Sequence, residues 1–144
     1  MTVKTLVLTA LAAACLAPAA LADAPTFVPI PAADFTDTTC GFDLAVHFTA
    51  ANETAKIFGD GTIIVTGQIH ATLSANGKSL SLNVSGPTMI RGETVVGHGI
   101  GAGPTLLPDG RVTFAENAGQ IDISGPAGVI EHGHMLLDIC AALA

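Results

Sequence analysis

Tryptophan and tyrosine are absent from this 144-residue chain, and six phenylalanines are its only aromatics. Carbohydrate platforms and aromatic ligand cages lean on the two missing residue types, so a sugar-binding role is disfavoured. Basic side chains are almost as scarce. Five Lys and Arg stand against twelve Asp and Glu, which makes the chain a poor partner for nucleic acid or an anionic membrane. The charges are spread singly, as solubility alone would require. Catalytic motifs are missing too. There is no G-x-S-x-G, no C-x-x-C, and no glycine loop in a strand-then-helix setting. Nothing in the order of residues nominates a pair of carboxylates, so no catalytic residue and no cofactor are expected.

The N-terminus carries the clearest signal. Met1 to Lys4 is a short positive start, Thr5 to Ala19 is an apolar run, and Ala20-Leu21-Ala22 has the small-x-small pattern of a cleavage site. Residues 1–22 therefore read as a secretory signal peptide cut after Ala22. The run is too short to span a membrane, which takes about 20 residues, and Pro18 interrupts its end. No transmembrane segment is expected elsewhere. An alternative uses Cys15 as a lipid-anchor site, although Ala12 stands where such sites carry Leu.

Cysteines are few, and their placement is informative. With Cys15 removed, Cys40 and Cys140 remain, a hundred residues apart. In an exported chain they are expected to form one disulfide joining the first and last strands of a single domain. Two free thiols or an intermolecular pair are the alternatives.

Residues 23–39 hold Pro25, Pro29 and Pro31 and show no alternation, so they read as an extended lead-in. From residue 40 to 144 the period is two. Phe42, Leu44, Val46 and Phe48 alternate with polar or small residues, and Thr62 to Ser74 forms a long run with Gly67 as a bend. Asn76-Gly77 is a type I′ hairpin signal leading into Lys78 to Ser85. Asp109-Gly110 and Asn117-Ala118-Gly119 read as further turns. No apolar helical period extends over ten positions. The expected fold is an all-β antiparallel meander closing as a β-barrel, with a two-layer sandwich as the alternative.

Cys40-Gly41-Phe42-Asp43 at the start of this domain and Gly133-His134-Met135-Leu136-Leu137-Asp138-Ile139-Cys140-Ala141-Ala142-Leu143 at its end resemble small exported actinobacterial proteins of unknown function. In that group a "CGF" opening and a "G-H-x-x-D-x-C-A-x-L" ending bracket a β-rich domain of this size. The resemblance implies an exported bacterial protein with a Cys40–Cys140 bond, and it brings no activity with it.

Only the histidines invite a chemical reading. His132-Gly133-His134 would put two rings on one strand face, where they could share a divalent metal with His47, His70, His98 or Glu131. Gly133 argues for a turn there, and surface histidines need no ligand, so no metal site is expected. Three functional readings remain. The first is a secreted, monomeric, non-catalytic β domain binding a small apolar ligand or a protein partner. The second is a metal-assisted enzyme using the histidines. The third is a cell-surface structural lipoprotein anchored at Cys15.

Overall fold

Alternation of apolar and polar residues makes strands, and where the chain turns decides which strands meet. In a computed structural model, which describes residues 24–144, they form two antiparallel sheets. The signal peptide, its cleavage after Ala22, and Cys15 lie outside the described residues. The larger sheet has seven strands, ordered β1 (Thr26–Ile30), β4 (Glu53–Ile57), β5 (Ile63–Thr66), β8 (Thr88–Arg91), β9 (Thr94–Leu106), β10 (Val112–Asp122) and β11 (Val129–Asp138). The smaller has four, ordered β2 (Phe35–Asp37), β3 (Leu44–Ala51), β6 (Ile69–Ala75) and β7 (Lys78–Asn83). One short helix, α1 (Ile139–Leu143), follows β11.

The expected closed barrel does not form. β1 and β11 stand at the open edges of the larger sheet, and β2 and β7 at those of the smaller. The reason is that the chain changes sheets between β1 and β2, β3 and β4, β5 and β6, and β7 and β8. The Thr62–Ser74 run, expected as one bent strand, is thus split between the two sheets. Its break is set by a close backbone crossing. A Cβ on Gly67 would fall 2.5 Å from the Asn52 carbonyl oxygen, and Gln68 and Asn52 tie the two crossovers together by mutual hydrogen bonds. The Pro-containing lead-in also joins the sheets. β1 pairs with β4, and β2 pairs with β3. Pro29 sits on β1, at an open edge, where a missing N–H costs nothing.

Leu44 and Val46 of β3, Ala71 and Leu73 of β6, Phe114 of β10, and Ile139 and Leu143 of α1 form the core shared by both sheets. The helix exists because Asp138 caps it, accepting from the Ala141 N–H at 3.0 Å. Ile139 and Leu143, four residues apart, then bury one face. Five residues are too few for a period to show in sequence. The disulfide is present, yet it does not join first and last strands as expected. Cys40, in the turn after β2, bonds Cys140 of α1. The Cys140 sulfur also accepts the Phe114 N–H at 3.1 Å. Asn76, at φ 52°, and Gly77, at φ 76°, make the β6–β7 hairpin turn the sequence announced. Asn76 and Lys78 then hold the backbone oxygens of Leu143 and Ala144.

β9, β10 and β11 form a long ribbon with a crease. Asn117-Ala118-Gly119, expected as a turn, runs straight through β10, and β11 is continuous through Gly133. Gly99, Gly119 and Gly133 are direct partners across the three strands, all with positive φ, at 84°, 122° and 143°. The backbones there are too close for side chains. A Cβ on Gly119 would lie 2.0 Å from the His132 oxygen, and one on Gly133 2.0 Å from the Ala118 oxygen.

That the ribbon folds back follows from its pairings. Val96 and Pro104 would be about 26 Å apart on a straight strand. Gly128 adjoins Val129, whose partner Asp122 itself pairs with Val96, which keeps Gly128 within about 14 Å of Val96. Yet Gly128 donates to the Pro104 oxygen at 2.7 Å, and its own oxygen accepts the Leu106 N–H at 2.8 Å. The far half of the hairpin therefore returns over the near half.

Two outcomes test this account. Closing a loop of a hundred residues removes about 4.7 kcal/mol of unfolded-chain entropy in the simplest treatment. The double variant Cys40→Ala/Cys140→Ala should lose about 3–5 kcal/mol in chemical denaturation, and reduced wild type should match it. Gly133→Ala should cost more than about 3 kcal/mol, because it combines a backbone clash with a φ that alanine avoids. Wild-type stability for Gly133→Ala would refute the crease.

Candidate functional site

The histidines do not assemble. His47 is exposed on β3, and its Nδ1 lies 2.6 Å from Asp34 Oδ2. That contact, together with the Phe48 N–H, holds the Asp34 carboxyl below its ordinary range. His70 lies on β6 opposite Ala50 and Asn83, in the smaller sheet. His98 and His132 share a row in the larger sheet, but each pairs with Gln120 of β10, which stands between them. Gln120 Nε2 instead donates to Glu131 Oε2 at 2.5 Å. His132 and His134 are both exposed on β11. Among the described residues no group of three or more His, Cys, Asp or Glu is placed to hold a metal ion.

What the fold does build is a cavity of about 280 Å³ between the creased ribbon and the smaller sheet. One wall is apolar and comes from Val46 and Phe48 of β3 and Ile69, Ala71 and Leu73 of β6. The opposite wall is β9, where Gly97, Gly99, Gly101 and Gly103 supply backbone but no side chains. A Cβ on Gly101 or Gly103 would meet nothing within 4 Å. The space is therefore there because glycines leave it. Phe35, His98, Ile100 and Ile123 are exposed lining residues and form the rim.

Polar atoms in this wall are few and their roles can be assigned. Asn117 of β10 is only 3% exposed. Thr105 Oγ1 donates to the Gly103 oxygen at 3.0 Å. A hydroxyl has one proton to give, so Thr105 must accept from Asn117 Nδ2 at 2.7 Å. This fixes the amide's orientation and leaves Asn117 Oδ1 as the one buried side-chain polar atom without a partner among the described residues. Glu53 of β4, half-buried, is the second acceptor lining the cavity. Burial pushes its carboxyl above the ordinary value. No lysine or arginine lines the space.

Of these residues only His98 was singled out from sequence, as a possible partner in a histidine metal site and not as part of a cavity. The alternating glycines from Gly97 to Gly103 were the available signal, readable as weak packing but not as a wall. Asn117 was hidden inside an apparent turn. Compared with family models, curated proteins and solved structures, the chain matches none.

A buried acceptor without a partner costs about 1–3 kcal/mol unless solvent reaches it. Thr105 keeps its bond to Gly103 if Asn117 is lost. Asn117→Leu should therefore leave the free protein at least as stable as wild type, gaining up to about 2 kcal/mol in thermal or chemical denaturation. A loss above about 1 kcal/mol would show that Asn117 serves the fold instead.

Proposed function

We propose that the protein is a secreted, non-catalytic binding domain that takes a small, mainly apolar ligand into the cavity between its sheets. The observation that carries the reading is the glycine wall. A fold selected only for stability fills such a space, since protein interiors pack to crystal-like density and each void costs stability. Here four alternating glycines of one strand line a space of about 280 Å³ opposite an apolar wall, and at Gly101 and Gly103 a side chain would meet nothing within 4 Å. An engineered apolar cavity of about 150 Å³ binds benzene, so this one has room for a body about twice that size. Export as a mature chain from residue 23 fits with this role, as does the resemblance to small exported actinobacterial proteins with the Cys40-Gly41-Phe42 opening. A disulfide is compatible with an extracellular location. No described helix is long and apolar enough to cross a membrane.

The test uses naphthalene as a probe. With neither Trp nor Tyr in the chain, naphthyl fluorescence is read with almost no protein background. Saturable binding at one site per chain is expected. Gly101→Leu, which grows a side chain into open space from the β9 wall, should weaken it at least tenfold while leaving the circular dichroism unchanged. Gly103→Val gives a second, independent obstruction. Absence of saturable binding to wild type, or full binding by both variants, would sink the reading.

A further inference from the structure

The hydrogen-bond ladder of the larger sheet has a gap beside the cavity. β9 pairs with β10 without a register shift from Thr94 to Leu106, so its main-chain groups point alternately toward β10 and away from it. His98 donates outward, to the Pro87 oxygen, which puts the N–H and C=O of Ile100 and Ala102 on that same outward edge. The next outward bonds are those of Pro104 and Leu106 with Gly128. Between these anchors no strand follows, because the pairing of β8 with β9 stops at Thr88 and Gly97. Gly86 lies against the start of the gap, where a Cβ would fall 2.7 Å from the Ile100 oxygen. Ala102 stands clear of both ends, and neither its N–H nor its oxygen has an outward partner among the described residues.

The cavity reaches this edge. Gly86 and Thr88 at one end of the gap and Gly128 at the other all line it, as do Gly101 and Gly103. A glycine lines a space only with main-chain atoms, so the peptide units on both sides of Ala102 are open to an occupant. The Ala102 side chain packs against the core with Ala71 and Leu73 of β6. A residue set opposite Ala102 would therefore turn its own side chain to the same apolar wall.

Resting on the binding reading above, we propose that the ligand is peptide-like: one apolar residue in amide linkage, extended antiparallel to β9, its N–H donating to the Ala102 oxygen and its C=O accepting the Ala102 N–H. This is strand addition confined to a single residue. An amide-linked residue carries donor and acceptor at the spacing the edge presents, because it has the same backbone. A hydrocarbon offers neither. The ends of the gap limit the ligand's length, since Gly86 lies beside Gly99 and Gly128 bridges Thr105. That stretch of β9 spans at most about 20 Å, enough for one residue and its two flanking amides.

Two naphthyl probes carry the comparison: naphthalene, and N-acetyl-naphthylalanine methylamide, a single residue with an amide on each side. The capped residue should bind about 5–100-fold more tightly, the range of two net hydrogen bonds. Methylating the residue's own nitrogen removes the donor to Ala102 and should cost at least about tenfold. Converting the terminal methylamide to a dimethylamide, whose lost N–H faces away from β9, should change affinity by less than about threefold. Ala102→Pro removes the outward N–H and spares the ladder to β10, as proline does on a sheet edge. It should bring the capped residue toward the affinity of naphthalene, which itself binds as before. Hydrogen exchange reads the same site without a variant. The Ala102 amide should exchange faster than those of Gly101 and Gly103, which face β10, and should slow at least about tenfold once the capped residue is bound. A protected Ala102 amide in the free protein, equal losses from the two methylations, or a capped residue no tighter than naphthalene would overturn the peptide assignment while leaving the cavity's role standing. Failure of both probes would instead overturn the binding reading itself.

Discussion

Between Gly119 and Gly133 the backbones of β10 and β11 approach so closely that a single methyl group would overlap a neighbouring carbonyl oxygen. With Gly99 on the next strand, they make a row of positive-φ residues across the ribbon. L-residues with side chains avoid this region, so a row of three bends all three strands at the same level. The returning half of the β9–β10 hairpin reaches Gly128, and the enclosed space becomes the cavity. Without the crease, β9 and β10 would continue as a flat ribbon, and the buried Asn117 would lie on an open face.

A second set of contacts holds this shape in place. α1 plugs the end of the core with Ile139 and Leu143 and is fixed at one end by Asp138, which accepts from Thr113 and Ala141. The Cys40–Cys140 bond then ties the helix to the turn before β3. Both sheets are thereby joined at the filled end of the structure, where packing is tight. The cavity lies where the facing strand is glycine. Filled and open regions thus follow directly from side-chain volume along β9 and β10: Ala102 and Phe114 pack against the core, and Gly97 to Gly103 leave room beside it.

The sequence announced some of this and concealed the rest for identifiable reasons. Period-two alternation in β3 and β7 and the Asn76-Gly77 hairpin were legible, because each depends on residues a few positions apart. Leu44 to Phe48, Asn76 and Gly77 ended where local chemistry placed them, while Phe42, expected on the same strand, lies in the bend before it. Gly67 was readable as an interruption, but whether it bent one strand or divided two depended on Asn52, fifteen positions earlier. Asn117-Ala118-Gly119 looked like a turn because those residue types favour turns. In the folded chain, pairing on both sides holds them extended. The histidines failed to converge for a related reason: sequence spacing says which face a ring occupies, and strand order says which strand intervenes.

From the chain alone came the all-antiparallel class, the pairing of Cys40 with Cys140 and the acidity of the surface, since each follows from residue type or near-neighbour spacing. Tertiary structure alone decided that the strands divide between two open sheets, that three distant glycines align, and that Asn117 Oδ1 ends up buried with nothing to bond. Those outcomes depend on contacts between residues far apart in sequence, and local preference does not encode which partner a backbone will meet.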